Sequence, residues 1–330
     1  MVMAASAESI AVPQSDETRA RRDGFADRLF RRIVAGAGIF VLATLAGVAL
    51  TTLWGGREAF ATFGFKFVVS SDWDTVGKQF GALAPVYGTL VTAAIALIIA
   101  VPVSFGIALY LTEIAPPWLR TPVAAAIELL AGIPSIIYGM WGLFVFVPIM
   151  GRHLNPWLNE HLSGWPVVGA LFSGTQYSIG LGMLTAGIVL AIMVIPFISS
   201  VMREVFLTVP TRLKESAYAL GSTTWEVAWD IVLPYTRTAV IGGIFLGLGR
   251  ALGETMAVTF VLGNVHRLSL SLLEPGNSIA ATIANEFAEA DSEIFRASLI
   301  ALAFLLFVVT FIVLAIAKLM LRQMEKKEGK

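Results

Sequence analysis

The chain has 330 residues, of which 57% are hydrophobic and only 14% charged, against about 25% charged in an ordinary soluble domain, so a soluble fold is excluded and a polytopic membrane protein is implied. Its 23 basic and 23 acidic residues cancel to a formal net charge of +0, which leaves no general field to attract nucleic acid. The chain has no cysteine, which excludes a disulfide framework, a thiolate metal site and a cysteine nucleophile, and the histidines His153, His161 and His266 lack ligand spacing and read as solvated loop residues.

Residues 1–32 form a polar head that carries Arg28, Arg31 and Arg32 and reads as disordered to about Asp23. Six stretches then reach the length of about 20 apolar residues that a membrane-crossing helix needs: 33–54, 87–112, 123–149, 179–202, 238–262 and 297–319. The first is too long for a signal-peptide core and has no small-x-small cleavage site after it, so it reads as a retained anchor. An external segment, 55–86, follows, then a core membrane region, 87–320, with a polar interval at 203–237, and a tail at 321–330. Most of the 23 Lys and Arg lie in the head, the 113–122 turn, the 203–237 interval and the tail. The opposite intervals hold Arg57, Lys66, Lys78, Arg152, Arg267 and Arg296. The positive-inside rule therefore places both termini in the cytoplasm. Trp54, Trp73, Trp157 and Trp165 lie in or beside the external intervals, as rings at a membrane interface do. Glu286, Glu289, Asp291 and Glu293 cluster in the last of these intervals and read as a solvated helix face. The fold class expected is all-α with six transmembrane helices.

Charges inside spans are costly and therefore informative. Arg250 falls at the centre of 238–262, roughly 18 Å from either end at 1.5 Å per residue, where an Arg costs about 2.5–3.5 kcal/mol on insertion scales unless it faces protein or a wet cavity. Glu254 follows four residues later, one turn along the same helix face, where an i,i+4 pair is expected. A self-satisfied buried ion pair and an anion site both fit this pattern. In the second, Arg250 offers a planar fork of donors to an oxyanion and Glu254 holds the guanidinium. Gly243, Gly247, Gly249 and Gly253 supply two small-x-x-x-small pairs for close helix packing. Glu128 lies a short way into the third span, near its cytoplasmic end, with a structural or gating role expected. Pro102, Pro134, Pro148 and Pro196 each remove a backbone donor and bend their helices.

The polar interval between the fourth and fifth spans carries Glu215-Ser216-Ala217, Gly221 after three more residues, and Ile231-Val232-Leu233-Pro234 after nine more. An amphipathic loop helix ended by proline would show some of this. The complete spacing resembles the ATPase-docking signature of ABC importer permeases, with Ser216 where that family usually has Ala. A phosphate cradle of the Gly-x-x-x-x-Gly-Lys-Ser/Thr type is absent, and Gly77-Lys78 lacks both the first glycine and the hydroxyl. Nothing resembles a catalytic triad or zinc helix, so this chain is expected not to be an enzyme and to depend on another subunit for energy.

Three further runs narrow the resemblance: Gly132-Ile133-Pro134-Ser135-Ile136-Ile137-Tyr138-Gly139, Gly249-Arg250-Ala251-Leu252-Gly253-Glu254-Thr255-Met256-Ala257 and Ala284-Asn285-Glu286-Phe287-Ala288. With these the chain resembles the PstC family of permease subunits from bacterial phosphate ABC importers, over nearly its whole length after the head. The resemblance implies a type I importer fold in the bacterial inner membrane and a pathway lined by Arg250 and Glu254. It implies two short helices that dock on an ATPase through Glu215, Ala217, Gly221, Ile231, Leu233 and Pro234. It also implies assembly with a PstA-like second permease subunit, a PstB-like ATPase dimer that binds the ATP, and a PstS-like external phosphate-binding protein. No cofactor of the chain's own and no metal are expected. From the residues alone a molybdate or sulfate permease, or a membrane subunit that chiefly signals phosphate status, remains open.

Overall fold

The computed structural model describes residues 14–166, 168–174 and 179–327. By its contacts the chain divides into two units, residues 1–51 and 52–330. The first unit is most of helix α1 (Gln14–Gly55), apolar on every face from residue 33 and exposed from 27 to 46, as a helix that meets hydrocarbon rather than a protein core should be. It starts at Gln14, where helix-favouring Glu17, Arg19, Ala20, Arg21 and Arg22 extend the apolar helix backward. Residues 1–13 lie outside the described part.

The second unit opens with short helices α2 (Arg57–Phe63) and α3 (Lys66–Val69) and a hairpin of β1 (Trp73–Asp74) with β2 (Gln79–Phe80). The strands run antiparallel with Trp73 opposite Phe80. The Asp74 carboxylate accepts the Val76 and Gly77 N–H groups at 2.9 and 3.0 Å, which closes the turn. Helix α4 (Leu83–Leu109) is prolonged by a π-turn, Tyr110–Ile114, and α5 (Pro117–Ala131) follows. A continuous helical run then comprises α6 (Ser135–Trp141), α7 (Val147–Ile149) and α8 (Asn155–Leu162), joined by π-segments Gly142–Phe146 and Met150–Leu154. After α9 (Gly169–Phe172) come α10 (Met183–Leu207) and α11 (Thr211–Ala219). The next run joins α12 (Thr224–Glu226) to α13 (Leu233–Leu252) through the π-segment Val227–Val232. The chain continues with α14 (Met256–Leu262), α15 (Ile279–Glu286) and α16 (Glu293–Lys327).

Among the described residues, each of the four π-segments ends two positions before a proline: Pro116, Pro148, Pro156 and Pro234. A proline ring has no N–H to give and collides with the carbonyl four residues back, and a widened turn removes both conflicts without breaking the helix at Pro148, Pro156 and Pro234, whereas at Pro116 the chain turns a corner. Pro102 and Pro196 stay inside α4 and α10, where the Ser199 and Ser200 hydroxyls donate to the Pro196 carbonyl. Pro134 behaves differently from the expected bend: it separates α5 from α6 outright.

Among the described residues, six helical runs are long and apolar enough to cross a membrane, 27–55, 83–114, 135–162, 183–207, 224–252 and 293–323. Two expected spans are corrected. The third, 123–149, is interrupted at Gly132–Pro134 and displaced toward the C-terminus. The fifth, 238–262, ends at Leu252 and begins already at Thr224, because its apolar run is cut by Gly253-Glu254 while its start is continuous with the polar interval.

The core forms around α10, which packs on α4, α5, α13 and α14. Ala186, Val189, Leu190, Met193, Val194, Ile198, Met202 and Phe206 recur at helical spacing along its buried side. Gly243 and Gly247 bring α13 onto α10, since a β-carbon there would meet Val201 at 2.9 Å and Ile198 at 2.6 Å. Gly249 and Gly253 make no such approach, so the small-residue seam is half of what the spacing suggested. A second cluster at the other end of α4 gathers Ala59, Phe67, Phe80, Ile279, Phe295 and Leu302, with Phe80 stacked on Phe295 at 5.1 Å.

His266 is part of that end, contrary to the reading of it as a solvated loop residue. Its Nε2 lies 2.7 Å from Glu286 Oε1, the Trp73 indole N–H donates to the other Glu286 oxygen at 2.8 Å, and the Trp73 ring stacks on the imidazole at 4.6 Å. Glu286 is thereby withdrawn from the acidic face, whereas Glu289, Asp291 and Glu293 are exposed as expected. His153 and His161 are exposed too.

Candidate functional site

Two interrupted helices define the middle of the fold. At the first interruption α5 ends at Ala131 and α6 starts at Ser135, with Pro134 in an extended conformation. At the second, α13 ends at Leu252 and α14 starts at Met256, with Gly253, Glu254 and Thr255 between. The interruptions are neighbours because α6 lies on α14: a β-carbon at Gly139 would stand 2.9 Å from the Met256 carbonyl oxygen and 3.1 Å from the Ala257 α-carbon. The Tyr138 hydroxyl reaches back across the first interruption and donates to the Leu130 carbonyl at 3.0 Å, which fixes the angle between α5 and α6.

Arg250 occupies the last turn of α13, not the middle of an unbroken helix. Its guanidinium carbon lies 5.8 Å from the Phe197 ring centroid on α10, a cation–π contact, and its Nε is buried with no hydrogen-bond partner. The expected pair with Glu254 does not form. Because the helix ends between them, Glu254 is not one turn further along the same face, and its Oε1 accepts the Ala257 N–H at 3.3 Å, at the start of α14. Glu254 therefore shapes the interruption, while the half-buried Arg250 keeps an unused donor at Nε. Gly249 and Gly253 flank Arg250 without tight contacts, Pro134 sets the opposite interruption, and Glu128 is exposed on α5 with no ion-pair partner among the described residues. Among the described residues no group of three or more His, Asp or Glu is placed to hold a metal.

The polar interval folds into one free short helix and the first turns of a long one. Helix α11 closes in a Schellman turn: Ser222 N–H donates to the Ala217 carbonyl at 3.1 Å and Gly221 N–H to the Tyr218 carbonyl at 3.0 Å, with Gly221 at φ +91°. A capping box starts α12. The Thr223 hydroxyl accepts the Glu226 N–H at 3.3 Å, and the Glu226 carboxylate accepts the Thr223 N–H at 2.7 Å. Ala217 is buried beneath α11, Ile231 and Leu233 are half-buried, and Glu215, Gly221 and Pro234 are exposed. Around them Leu213, Tyr218, Leu220, Trp225 and Trp229 are exposed, Leu220 by 89%. Trp225 and Trp229 pack against each other at 5.4 Å. The spacing of the motif did not reveal these five residues; the tryptophan pair Trp225 and Trp229, one helical turn apart in a polar stretch, was the available signal.

Sequence reasoning also missed an ion pair. Lys214 Nζ donates to Glu113 Oε1 at 2.6 Å, joining α11 to the π-turn that ends α4. Both residues are adjacent to features read from sequence, yet nothing in the chain order pairs them.

The family model for the binding-protein-dependent transport system inner membrane component matches residues 103–326. The alginate ABC transporter of a bacterium, solved with an alginate-bound periplasmic protein, contains a chain of the same fold, with TM-score 0.59 at 18% identity over 92% of this chain and 97% of that one. Fold and segment thus define a transmembrane subunit of an ABC importer. Among sequence relatives, the phosphate transport system permease protein PstC of Xylella fastidiosa strain 9a5c is 62% identical over 97% of this chain and 99% of its own. PstC of Pasteurella multocida is 55% identical over 95% and 97%, and the probable PstC of Methanocaldococcus jannaschii is 36% identical over 78% and 82%. The chain belongs to the PstC family.

Proposed function

We propose that the chain is the permease subunit of an ATP-driven phosphate importer and forms half of the route through the bacterial inner membrane, with both termini and α11 on the cytoplasmic side. The observation that carries the reading is Arg250: an arginine at a helix interruption inside the membrane, its Nε buried and unpartnered, next to a second interrupted helix. Non-helical backbone at that depth is tolerated where it is enclosed by protein or lines a wet cavity, and broken helices are where transporters hold ions. A guanidinium matches the geometry of a tetrahedral oxyanion by paired hydrogen bonds. The relatives are named for phosphate, which favours phosphate over molybdate or sulfate.

The apolar surface around Gly221 is read as the seat of a PstB-like ATPase, which binds the ATP. A PstA-like subunit supplies the other half of the pathway, since one wall would leave the anion in hydrocarbon, and a PstS-like protein delivers phosphate from outside. The test is reconstitution in proteoliposomes. The chain with its three partners takes up labelled phosphate on addition of ATP, and the chain alone takes up none. ATP-driven uptake by the lone chain, or preference of the full complex for molybdate or sulfate, would overturn the reading.

A further inference from the structure

Lys214 and Glu113 lie 101 positions apart in sequence, and their charged atoms are 2.6 Å apart. Their side chains keep only 14% and 5% of their accessible surface. This is not an exposed pair of the kind that contributes little; taking away one partner strands the other charge in a dry place.

What the pair joins gives it a role. Lys214 precedes Glu215 in α11, the helix read above as the ATPase contact. Glu113 lies in the π-turn at the end of α4, whose corner is braced twice: Ala115 N–H donates to the Tyr110 carbonyl at 2.7 Å, and Arg120 Nε donates to the Ala115 carbonyl at 2.7 Å. From this corner α5 runs to Ala131 at the edge of the first interruption. The Tyr138 hydroxyl ties α6 to Leu130, and Gly139 sets α6 against the first turn of α14, directly after Glu254. The ion pair, α5 and the packing of α6 on α14 therefore connect α11 to the interruption that carries Arg250. Further connections are the covalent run of α12 into α13, and α10, which leads into α11 and packs on α13 and α14.

We propose that the Lys214–Glu113 pair is a positioning strut for coupling: it carries displacement of α11 into α5 and thereby sets the spacing of the two interruptions, without itself touching the anion. The proposal rests on the reading of α11 as the ATPase contact. Adjacency alone does not establish coupling, so the experiment reads coupling directly.

The complete importer, this chain with its partner subunits, is reconstituted in proteoliposomes, and uptake of labelled inorganic phosphate is recorded beside ATP hydrolysis. Glu113→Lys and Lys214→Glu, each assembled with its partners, are expected to lower phosphate moved per ATP by about tenfold, within the usual range of coupling effects. The double exchange, Glu113→Lys with Lys214→Glu, is expected to restore most of the ratio. Unchanged ratios in the single variants, or a double exchange no better than either, would overturn the proposal. If the reversals do not assemble, Glu113→Gln keeps shape and hydrogen bonding while removing the charge; a lowered ratio in that variant supports the strut and a parental ratio overturns it. Failure of the underlying functional reading is distinct, because the parental complex itself would then take up no phosphate.

Discussion

Gly139 of α6 lies against Met256 of α14 so closely that a methyl group at 139 would stand 2.9 Å from the Met256 carbonyl oxygen and 2.8 Å from Phe260 Cδ2. The first of these atoms is backbone and has nowhere to go. The missing side chain lets the two interrupted helices lie side by side. Gly139→Ala is expected to destabilise the assembled complex by about 1–3 kcal/mol, the usual cost of overpacking, and to reduce uptake by moving α6 off α14. Thermal unfolding of the purified complex checks it; a parental melting temperature with parental uptake would refute the role given to the contact.

Gly221 has the opposite environment. No atom lies within 4 Å of a β-carbon built there, but its φ is +91°, so the backbone rather than space in this chain demands glycine. Gly221→Ala should weaken the end of α11 by about 1–2 kcal/mol, the left-handed penalty for an L-residue, and Gly221→Asn by less, because Asn tolerates that region. Gly221→Leu adds a side chain on the surface read as the ATPase seat, so it should leave the chain inserted but lower ATPase retention on purification. Equal retention by the Ala, Asn and Leu variants would contradict both parts.

The capping box that begins α12 gives an independent handle on the same surface. Thr223→Ala removes the acceptor for the Glu226 N–H and should cost about 0.5–2 kcal/mol of local helix stability. Hydrogen exchange over 222–228 reads it. Faster exchange confined to that stretch is expected, and no change would show that the box does not hold the turn.

Much of this was legible in the chain order. A membrane protein with six spans follows from composition and run length, and the spacing of Glu215, Gly221 and Pro234 gave the polar segment because turns and caps are local. The interruptions were harder. Pro134 was visible as a donorless residue, yet whether a proline bends a helix, sits behind a π-turn or ends the helix depends on what packs around it. Pro148 and Pro134 take different solutions within one stretch. The Arg250 to Glu254 spacing pointed to an ion pair only while α13 was taken to continue; with the helix ending at Leu252, Glu254 turns to the start of α14. Lys214 with Glu113, and His266 with Glu286 and Trp73, are long-range meetings for which sequence offers no period.

Arg250 carries the central claim, and the anion contact is tested by changing it without emptying the space. Arg250→Gln keeps hydrogen-bond donors and loses the charge. In proteoliposomes containing the complete complex, phosphate uptake by this variant is expected to be abolished while the subunits still co-purify, with Arg250→Lys intermediate if charge alone suffices and inactive if the paired donors are required. A purely structural arginine, held against the Phe197 ring, makes a different prediction: an apolar side chain of similar length, Arg250→Met, would fill the same space and keep uptake. Phosphate uptake by Arg250→Met at the parental rate would contradict the account.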